Sequence, residues 1–330
     1  MRVLVTGTTG FAGSHLARAL AARGHQVRGF QRGTTSAPGA TSIPGAPGID
    51  VAIGDLRDRA ALARAVQGID VVYHIAAIYR QAGVSPDVYR AVNATAVGQL
   101  VEAAAAAGVR RLVHCSTVGV HGDIEHPPAN EDAPLRPGDI YQETKLEGER
   151  LARDAGTRLG IEVTIVRPSG IYGPGDRRLL KLFRGVARRR WITLGRGKIY
   201  YHLTYIDDLV EGFQLCGEHP SAANQTYILA GGEVTTLNDL VAMVAEVAGV
   251  KAPTAHLPVW PFWIAGAVCE AVCAPLGLEP PIYRRRVDFF TKSRAFDISR
   301  AERDIGYVPR VRLHDGIQRT IEWYRAHGWL

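Results

Sequence analysis

Val3-Leu4-Val5-Thr6-Gly7-Thr8-Thr9-Gly10-Phe11-Ala12-Gly13 decides the fold. Four apolar or β-branched residues run into three glycines spaced three apart, and the apolar helical pattern Leu16-Ala17-Ala19-Leu20 follows at once. This reads as a buried parallel strand, a tight turn and a helix start. A helix N-terminus offers unpaired backbone N–H groups and a partial positive charge, so it suits a phosphate. Gly7 and Gly10 carry no Cβ and let a pyrophosphate come close to the backbone, while Gly13 lets the helix pack near the strand. The strand before the turn favours dinucleotide binding over an ordinary strand-to-helix turn.

The same alternation of strand and helix continues outward. Gln26–Phe30 reads as a second strand, Val51–Leu56 as a third, Asp70–Ala77 as a fourth running into a small-residue turn, and Arg110–Cys115 as a fifth. Helical periods fill Ala60–Val66 and Val88–Ala107. Five repeats of this order indicate an α/β fold with a doubly wound parallel sheet, whose ligands sit at the carboxyl ends of the strands. A sixth strand, Ile161–Val166, leads to a division at residue 167: a dinucleotide-binding domain over 1–167 and a smaller substrate-binding lobe over 168–330, with the chain crossing between them. In the second half the patterns predict a basic helix at Arg177–Arg190 and short strands at Trp191–Leu194 and Tyr200–Thr204 that pair with each other. They also predict a helix at Leu209–Cys216, a strand at Gln225–Leu229, and helices at Leu237–Ala248 and Leu313–Ala326. Asp207-Asp208 suit the first turn of their helix, and that role is preferred to metal binding.

Composition bounds the function. The chain has 330 residues, 46% hydrophobic and 22% charged, which is globular rather than disordered. Its net charge of +7 comes from 39 Lys+Arg against 32 Asp+Glu, spread along the sequence. The densest basic runs, Arg188–Arg190 and Arg284–Arg286, read as solvated faces, and no nucleic-acid-binding motif is present. The four cysteines fit neither a disulfide framework nor a zinc site. The first apolar run is the first strand, so it is not a signal peptide, and the chain reads as cytoplasmic. Leu257–Leu278 is apolar and aromatic, but Pro258, Pro261 and Pro275 interrupt it, and its unbroken part is short of the ~20 residues that span a bilayer. A buried helix or the wall of an apolar pocket is favoured for it over a helix lying on a membrane surface.

Individual residues then carry chemistry. Where the second strand ends, a carboxylate would accept hydrogen bonds from an adenosine ribose; the sequence has Gln31-Arg32. Arg32 is a fork of donors suited to a 2′-phosphate, which favours NADP slightly over NAD; a surface arginine is the alternative. Asp55 ends the third strand, where it accepts from an adenine amino group or caps the next helix. Ala76 and Ala77 let the chain pass close to a cofactor. His74 reads as a core histidine. Asn93, a poor mid-helix residue, bonds a neighbouring backbone or holds a water near the site. The proline-rich stretch His121–Asp139 reads as a loop over the site. Tyr141 and Lys145 lie four apart and share a helix face. With Thr117 at a strand end they make a proton-transfer group, in which the ammonium is expected to lower the phenol pKa and the Thr117 hydroxyl to bond the substrate oxygen.

The turn Thr6–Gly13, the pair Ser116-Thr117 and the Tyr141/Lys145 spacing resemble the extended short-chain dehydrogenase/reductase superfamily, also called the NAD-dependent epimerase/dehydratase family. Later segments agree: Arg167–Asp176, Tyr205–Asp208, Asp297–Ser299 and Gly306–Pro309. The turn's Gly-x-x-Gly-x-x-Gly spacing differs from the common Rossmann fingerprint and resembles that superfamily's own. The resemblance implies a Rossmann-type fold, the catalytic residues Thr117, Tyr141 and Lys145, and a small-molecule substrate. It further implies a homodimer through the long helices and a cofactor, NADP or NAD, held by Gly7, Thr9, Gly10, Phe11, Ala12, Gly13, Arg32, Asp55, Leu56, Ala76, Ala77, Tyr141, Lys145 and Pro168. Val118-Gly119 stand where dehydratases carry Asp-Glu, and Gly170 where nucleotide-sugar epimerases usually carry asparagine. The form Arg167-Pro168-Ser169-Gly170-Ile171-Tyr172-Gly173-Pro174-Gly175-Asp176 is similar instead to 3β-hydroxysteroid dehydrogenase-like members. The resemblance thus implies an oxidoreductase interconverting a secondary alcohol and a ketone. A UDP-sugar 4-epimerase is the alternative, for which Arg284–Arg286 with Lys292 and Arg294 would clamp a pyrophosphate; a non-enzymatic dinucleotide sensor is a third. The 257–278 segment leaves peripheral membrane contact open.

Overall fold

The structure is a computed structural model and describes residues 1–33, 49–81, 83–273 and 287–330. A seven-stranded parallel sheet runs β10-β6-β5-β4-β1-β2-β3. Its strands are β1 (Arg2–Thr6), β2 (Gln26–Gln31), β3 (Asp50–Ile53), β4 (Val71–His74), β5 (Arg111–Cys115), β6 (Glu162–Pro168) and β10 (Thr226–Leu229). The sheet is buried on both faces, so its strands read as almost unbroken apolar runs. Successive residues nonetheless feed different cores. Val3 and Val5 join one cluster with Tyr73, Val113 and Leu16, and Leu4 joins the other with Val72, Leu112 and Phe30. Helices α1 (Phe11–Ala22) and α7 (Ile206–Glu218) pack together, as do α2 (Arg59–Ala65), α4 (Ala96–Ala106) and α5 (Ile140–Leu159). The strand order reverses at β1, which pairs with β2 on one side and β4 on the other. A ligand crevice opens at such a reversal, beyond the carboxyl ends of the strands.

The predicted helix at Val88–Ala107 is interrupted. A short α3 (Pro86–Arg90) passes into a π-helical turn at Ala91–Thr95 and then into α4. Asn93 sits in that turn, and its amide bonds the backbone of Ile78 through both its oxygen and its nitrogen, at 2.9 and 3.0 Å. The π turn therefore aims a side chain that a regular helix would leave without this reach. Asp58, rather than Asp55, caps α2.

The second half contributes β10 to the main sheet and builds a small sheet in the order β11-β9-β7, from β7 (Gly170–Tyr172), β9 (Tyr200–Tyr205) and β11 (Val234–Thr236). The expected pairing of Trp191–Leu194 with Tyr200–Thr204 does not occur. Instead β8 (Thr193–Leu194) pairs in parallel with β12 (His256–Leu257). The basic helix is shorter than the sequence suggests, α6 (Leu180–Ala187), and Arg188–Arg190 lie beyond its end. Asp207 and Asp208 stand in the first turn of α7, as expected, and the Asp208 carboxylate also accepts from the Arg310 and Val311 backbone N–H groups at 2.9 and 3.1 Å, fastening the C-terminal segment. Helices α8 (Leu237–Ala248) and α12 (Leu313–Ala326) stand at the predicted bounds and pack on each other. The apolar segment forms α9 (Trp260–Cys273), on which only Gly266 is buried. The favoured reading of a buried helix is therefore wrong. Residues 274–278 of that segment, Arg284–Arg286 and residues 34–48, within the Gly- and Pro-rich stretch Gly33–Gly48 whose composition reads as a loop, lie outside the described residues. Short helices α10 (Asp288–Thr291) and α11 (Ser299–Ile305) complete the chain. Among the described residues no helix is long and apolar enough to cross a membrane.

Candidate active site

The glycine turn is built for two contacts at once. Gly7 has φ +75°, a left-handed conformation, and a Cβ there would lie 2.9 Å from Ala76 Cα and N. A Cβ on Gly13 would overlap the Gly7 carbonyl oxygen. The close approaches are thus within the protein: Gly7 meets the turn after β4, and Gly13 meets the turn itself. Thr6 ties the two turns together, because its hydroxyl oxygen accepts from the Ile75 and Ala76 backbone N–H groups, each at 3.1 Å.

α1 opens on Gly10 with no side-chain cap and no acid in its first turn, whereas Asp58, Asp139 and Thr236 cap α2, α5 and α8. The first-turn N–H groups of α1 are left for a ligand, and a dinucleotide pyrophosphate fits that donor set. The turn faces a cavity of about 900 Å³. Gly7, Thr9, Gly10, Phe11, Ala12, Gly13, Arg32, Asp55, Leu56, Ala76, Ala77, Thr117, Tyr141 and Pro168 all line it. Lys145 does not; it lies one turn behind Tyr141 on α5, almost fully buried.

At the adenosine end, Asp55 is already engaged. The Arg57 guanidinium donates to both its oxygens at 2.9 and 2.8 Å, and the Arg57 N–H adds a third bond at 2.8 Å. These bonds hold the carboxyl down at about 2. Arg57 therefore joins Arg32 in the lining, a second guanidinium that sequence spacing did not single out.

At the other end the hydroxyls gather. Thr117 accepts from the Gly119 N–H at 3.0 Å, which leaves its O–H free to donate. Ser116 also lines the cavity, and its buried Oγ has no hydrogen-bond partner among the described residues. Tyr141 is packed edge-on by Tyr79, with ring centroids 4.9 Å apart. The guanidiniums of Arg80 and Arg178 lie 5.5 and 5.6 Å from the Tyr79 ring. Nothing in the sequence pattern marked Tyr79; only the turn after β4 brings it there.

The expected lowering of the Tyr141 pKa is not found. Burial pushes the phenol up, Cys115 and Tyr79 add to this, and Arg178 and Arg80 oppose it only in part. Tyr141 is thus held as the neutral acid, a form that donates a proton to a ketone oxygen. Lys145 Nζ donates instead to His114 Nε2 at 3.4 Å, and burial lowers its pKa from 10.5 to about 8. That contact places the His114 proton on Nδ1. His74 stacks on His114 at 5.3 Å and accepts from the Thr6 hydroxyl through Nδ1 at 2.8 Å. Both histidines are fully buried, and burial holds both below the usual imidazole range, His74 at about 3. His74 is a core histidine, as expected, and the layer Thr6–His74–His114–Lys145 forms a buried polar seam beneath the cavity.

Asn93 fixes the two walls relative to each other. Besides holding Ile78, its amide donates to the Thr144 hydroxyl at 3.3 Å. Gly148, one turn past Thr144, lets α5 come against the Asn93 carbonyl, where a Cβ would not fit.

The far wall is aromatic and cationic. Trp191, Tyr201, Phe289 and Phe290 line it and pack on one another, with ring centroids 5.0 to 6.2 Å apart. No residue of α9 lines the cavity, so the expected pocket wall comes from other segments. Lys292 and Arg294 do line it; Lys292 pairs with Asp288 at 3.0 Å.

A parallel sheet reversing at a glycine turn, with a hydroxyl and a phenol facing that turn across one cavity, defines a dinucleotide-dependent α/β enzyme. Residues 3–230 match the model of the NAD dependent epimerase/dehydratase family. The chain belongs to this family and is an NAD(P)-dependent dehydrogenase/reductase or epimerase of the extended short-chain type. It is 32% identical to the 3 beta-hydroxysteroid dehydrogenase/Delta 5→4-isomerase of Mycobacterium tuberculosis, over 98% of this chain and 90% of that protein. It is 30% identical to the 2-alkyl-3-oxoalkanoate reductase of Stenotrophomonas maltophilia, over 97% and 98%. The crystal structure of UDP-glucuronic acid 4-epimerase from Bacillus cereus in complex with NAD superposes with TM-score 0.79 at 26% identity, covering 99% of each chain.

Proposed function

We propose that this enzyme interconverts a secondary alcohol and a ketone on an apolar substrate, with Thr117, Tyr141 and Lys145 as its catalytic residues. The observation that carries the reading is the wall of Trp191, Tyr201, Phe289 and Phe290 set in the same cavity as the Thr117 and Tyr141 hydroxyls. Such a wall rewards burial of an apolar body, while the two hydroxyls supply the few polar contacts that orient one oxygen. Thr117 donates to the substrate oxygen and Tyr141 delivers its proton; when bound, the nicotinamide supplies or takes the hydride. Lys145 stands behind Tyr141 with its charge oriented by His114. Gly170 offers no side chain to a sugar diphosphate, at the position where nucleotide-sugar epimerases usually carry asparagine. The relatives named as a steroid dehydrogenase and an oxoalkanoate reductase support an apolar ketone.

Arg32 and Arg57 favour NADP, since two exposed guanidiniums suit a 2′-phosphate. A UDP-sugar epimerase is the second reading, favoured by Lys292, Arg294 and Arg178 in the lining. A homodimer across α4 and α5 belongs to both readings.

The test is to denature the purified protein and identify any released nicotinamide. A protein that is free of nicotinamide, binds NADPH or NADH reversibly and oxidises it with steroid ketones or 3-oxo acids supports the dehydrogenase. Stoichiometric retained NAD, with UDP-sugar turnover and no net redox, overturns it.

A further inference from the structure

We propose that Gln142 is a specificity-determining residue that binds a second oxygen of the substrate, and that the substrate is a 3-oxoacyl compound, an acid or ester whose reacting ketone is its third carbon. The inference rests on the ketone chemistry proposed above.

Gln142 follows Tyr141 on α5 and is almost fully buried. One end of its amide is committed. The Gly138 backbone N–H donates to Oε1 at 2.7 Å, and because a backbone N–H can only donate, the other end is the NH2 group. That bond closes the preceding loop onto the start of α5, where the Asp139 carboxylate accepts from the Gln142 N–H at 2.9 Å. The two side-chain N–H donors are not used in it, and they have no partner among the described residues.

These donors face a gap beside Thr117. A Cβ on Gly119 would stand 3.1 Å from Gln142 Nε2 and 3.2 Å from Thr117 Oγ1. Glycine supplies none, so the amide and the hydroxyl converge on one point, and Thr117, Gly119 and Gln142 all line the cavity. Lys292 lines the same corner: its Nζ and Gln142 Oε1 lie 3.8 and 3.6 Å from the position of a Cβ on Gly138. The acids of the lining, Asp55 and Asp288, are bound to Arg57 and Lys292. The corner therefore offers hydroxyl, amide and ammonium donors without an unpaired carboxylate, and it suits a ligand rich in acceptor oxygens.

The convergence names the class. On the proposed reading Thr117 donates to the reacting oxygen. A second donor aimed at the same point cannot serve a distant part of the ligand, so its acceptor sits on the carbon next to the ketone or on the one beyond. Adjacent carbonyls oppose their dipoles and point their oxygens apart. Carbonyls separated by one carbon can turn both oxygens to one side, as two converging donors require. The carboxyl end of a 3-oxoacyl chain then meets Gln142, and its alkyl part is left for the aromatic wall.

The experiment compares methyl 3-oxodecanoate with 3-decanone, which share the heptyl ketone and differ in the second carbonyl, by following oxidation of NADPH and NADH. The wild type should favour the ester by tenfold or more in kcat/KM, because the plain ketone leaves the amide donors unpaired. Gln142→Glu keeps an oxygen for the Gly138 N–H but removes the donors, and should cost the ester about tenfold and the plain ketone far less. Gly119→Ala keeps the amide and puts a methyl between it and Thr117, and should narrow the preference likewise. A Gln142 that only closes the loop would lower both substrates together in the Glu variant, which overturns the proposal. Equal kcat/KM for the two compounds in the wild type, or a preference that both variants retain, overturns it while the ketone chemistry stands. Reduction of steroid ketones with both of these compounds refused does the same. Refusal of every ketone overturns the ketone chemistry and this proposal with it.

Discussion

Lys145→Met is expected to stabilise the protein at neutral pH while removing its activity. The Lys145 side chain is 1% exposed, and burial lowers its pKa from 10.5 to about 8. Its folded-state pKa thus lies below its unfolded value. The unfolded chain binds the proton more tightly, so wild-type stability is reduced below pH 8 and recovers as pH rises from 8 to 10.5. At ~1.36 kcal/mol per pH unit, the recovery is about 3 kcal/mol. Methionine fills similar volume and carries no such penalty. It leaves His114 Nε2 without its donor, which costs about 1 kcal/mol or somewhat more. The variant should therefore be more stable than wild type by ~1–2 kcal/mol at pH 7 and less stable near pH 10.5. His74 and His114 do not enter, because burial keeps both neutral throughout this range. Urea unfolding followed by tryptophan fluorescence at several pH values measures the difference. A stability difference that is constant between pH 7 and 10 would falsify the account of Lys145 as a buried charge held against its solvation.

Three further outcomes follow from the site. Tyr141→Phe deletes one hydroxyl from a packed position and should lower kcat by ~10²–10⁴ with cofactor affinity unchanged; turnover near wild type would remove Tyr141 from the chemistry. Arg32→Ala and Arg57→Ala should each weaken NADP by about tenfold and NAD hardly at all, read by titration of the protein's fluorescence. Equal weakening of both dinucleotides would refute the 2′-phosphate assignment. Gly13→Ala places a methyl against the Gly7 carbonyl, a backbone atom that cannot turn aside. A strain of ~1–3 kcal/mol displacing the start of α1 should cost dinucleotide affinity about tenfold, and unaltered affinity would show that the turn tolerates the shift.

The parts of the fold legible in the sequence are those specified locally. β1 and its turn, the start of α5, and the bounds of α8 and α12 follow from apolar period, glycine position and capping residues within a few residues of each other. Pairing between distant segments was not legible. Trp191–Leu194 and Tyr200–Thr204 each read as a strand, but the choice of His256–Leu257 and Val234–Thr236 as partners depends on packing across 32 to 63 residues. In the site, residue identities were readable and environments were not. Tyr141 and Lys145 sit one turn apart as expected, yet burial raises the phenol, and the ammonium faces His114 from the neighbouring strand. The aromatic wall was misplaced for a similar reason. Leu257–Leu278 has the composition of a pocket lining, while Trp191, Phe289 and Phe290, scattered over 100 residues, form it.

Asn93 has a consequence for how this enzyme can change. One amide grips the turn that carries Tyr79 and the helix that carries Tyr141. The interval between the turn after β4 and Tyr141 is therefore held by residues before 160. The aromatic wall that the proposed function assigns to the substrate, Trp191, Tyr201, Phe289 and Phe290, comes from residues after 190. On the proposed reading, proton transfer and apolar recognition are written in separate stretches of chain. On that reading, replacing side chains in the second stretch should change what is reduced or oxidised without altering the distance over which the proton moves.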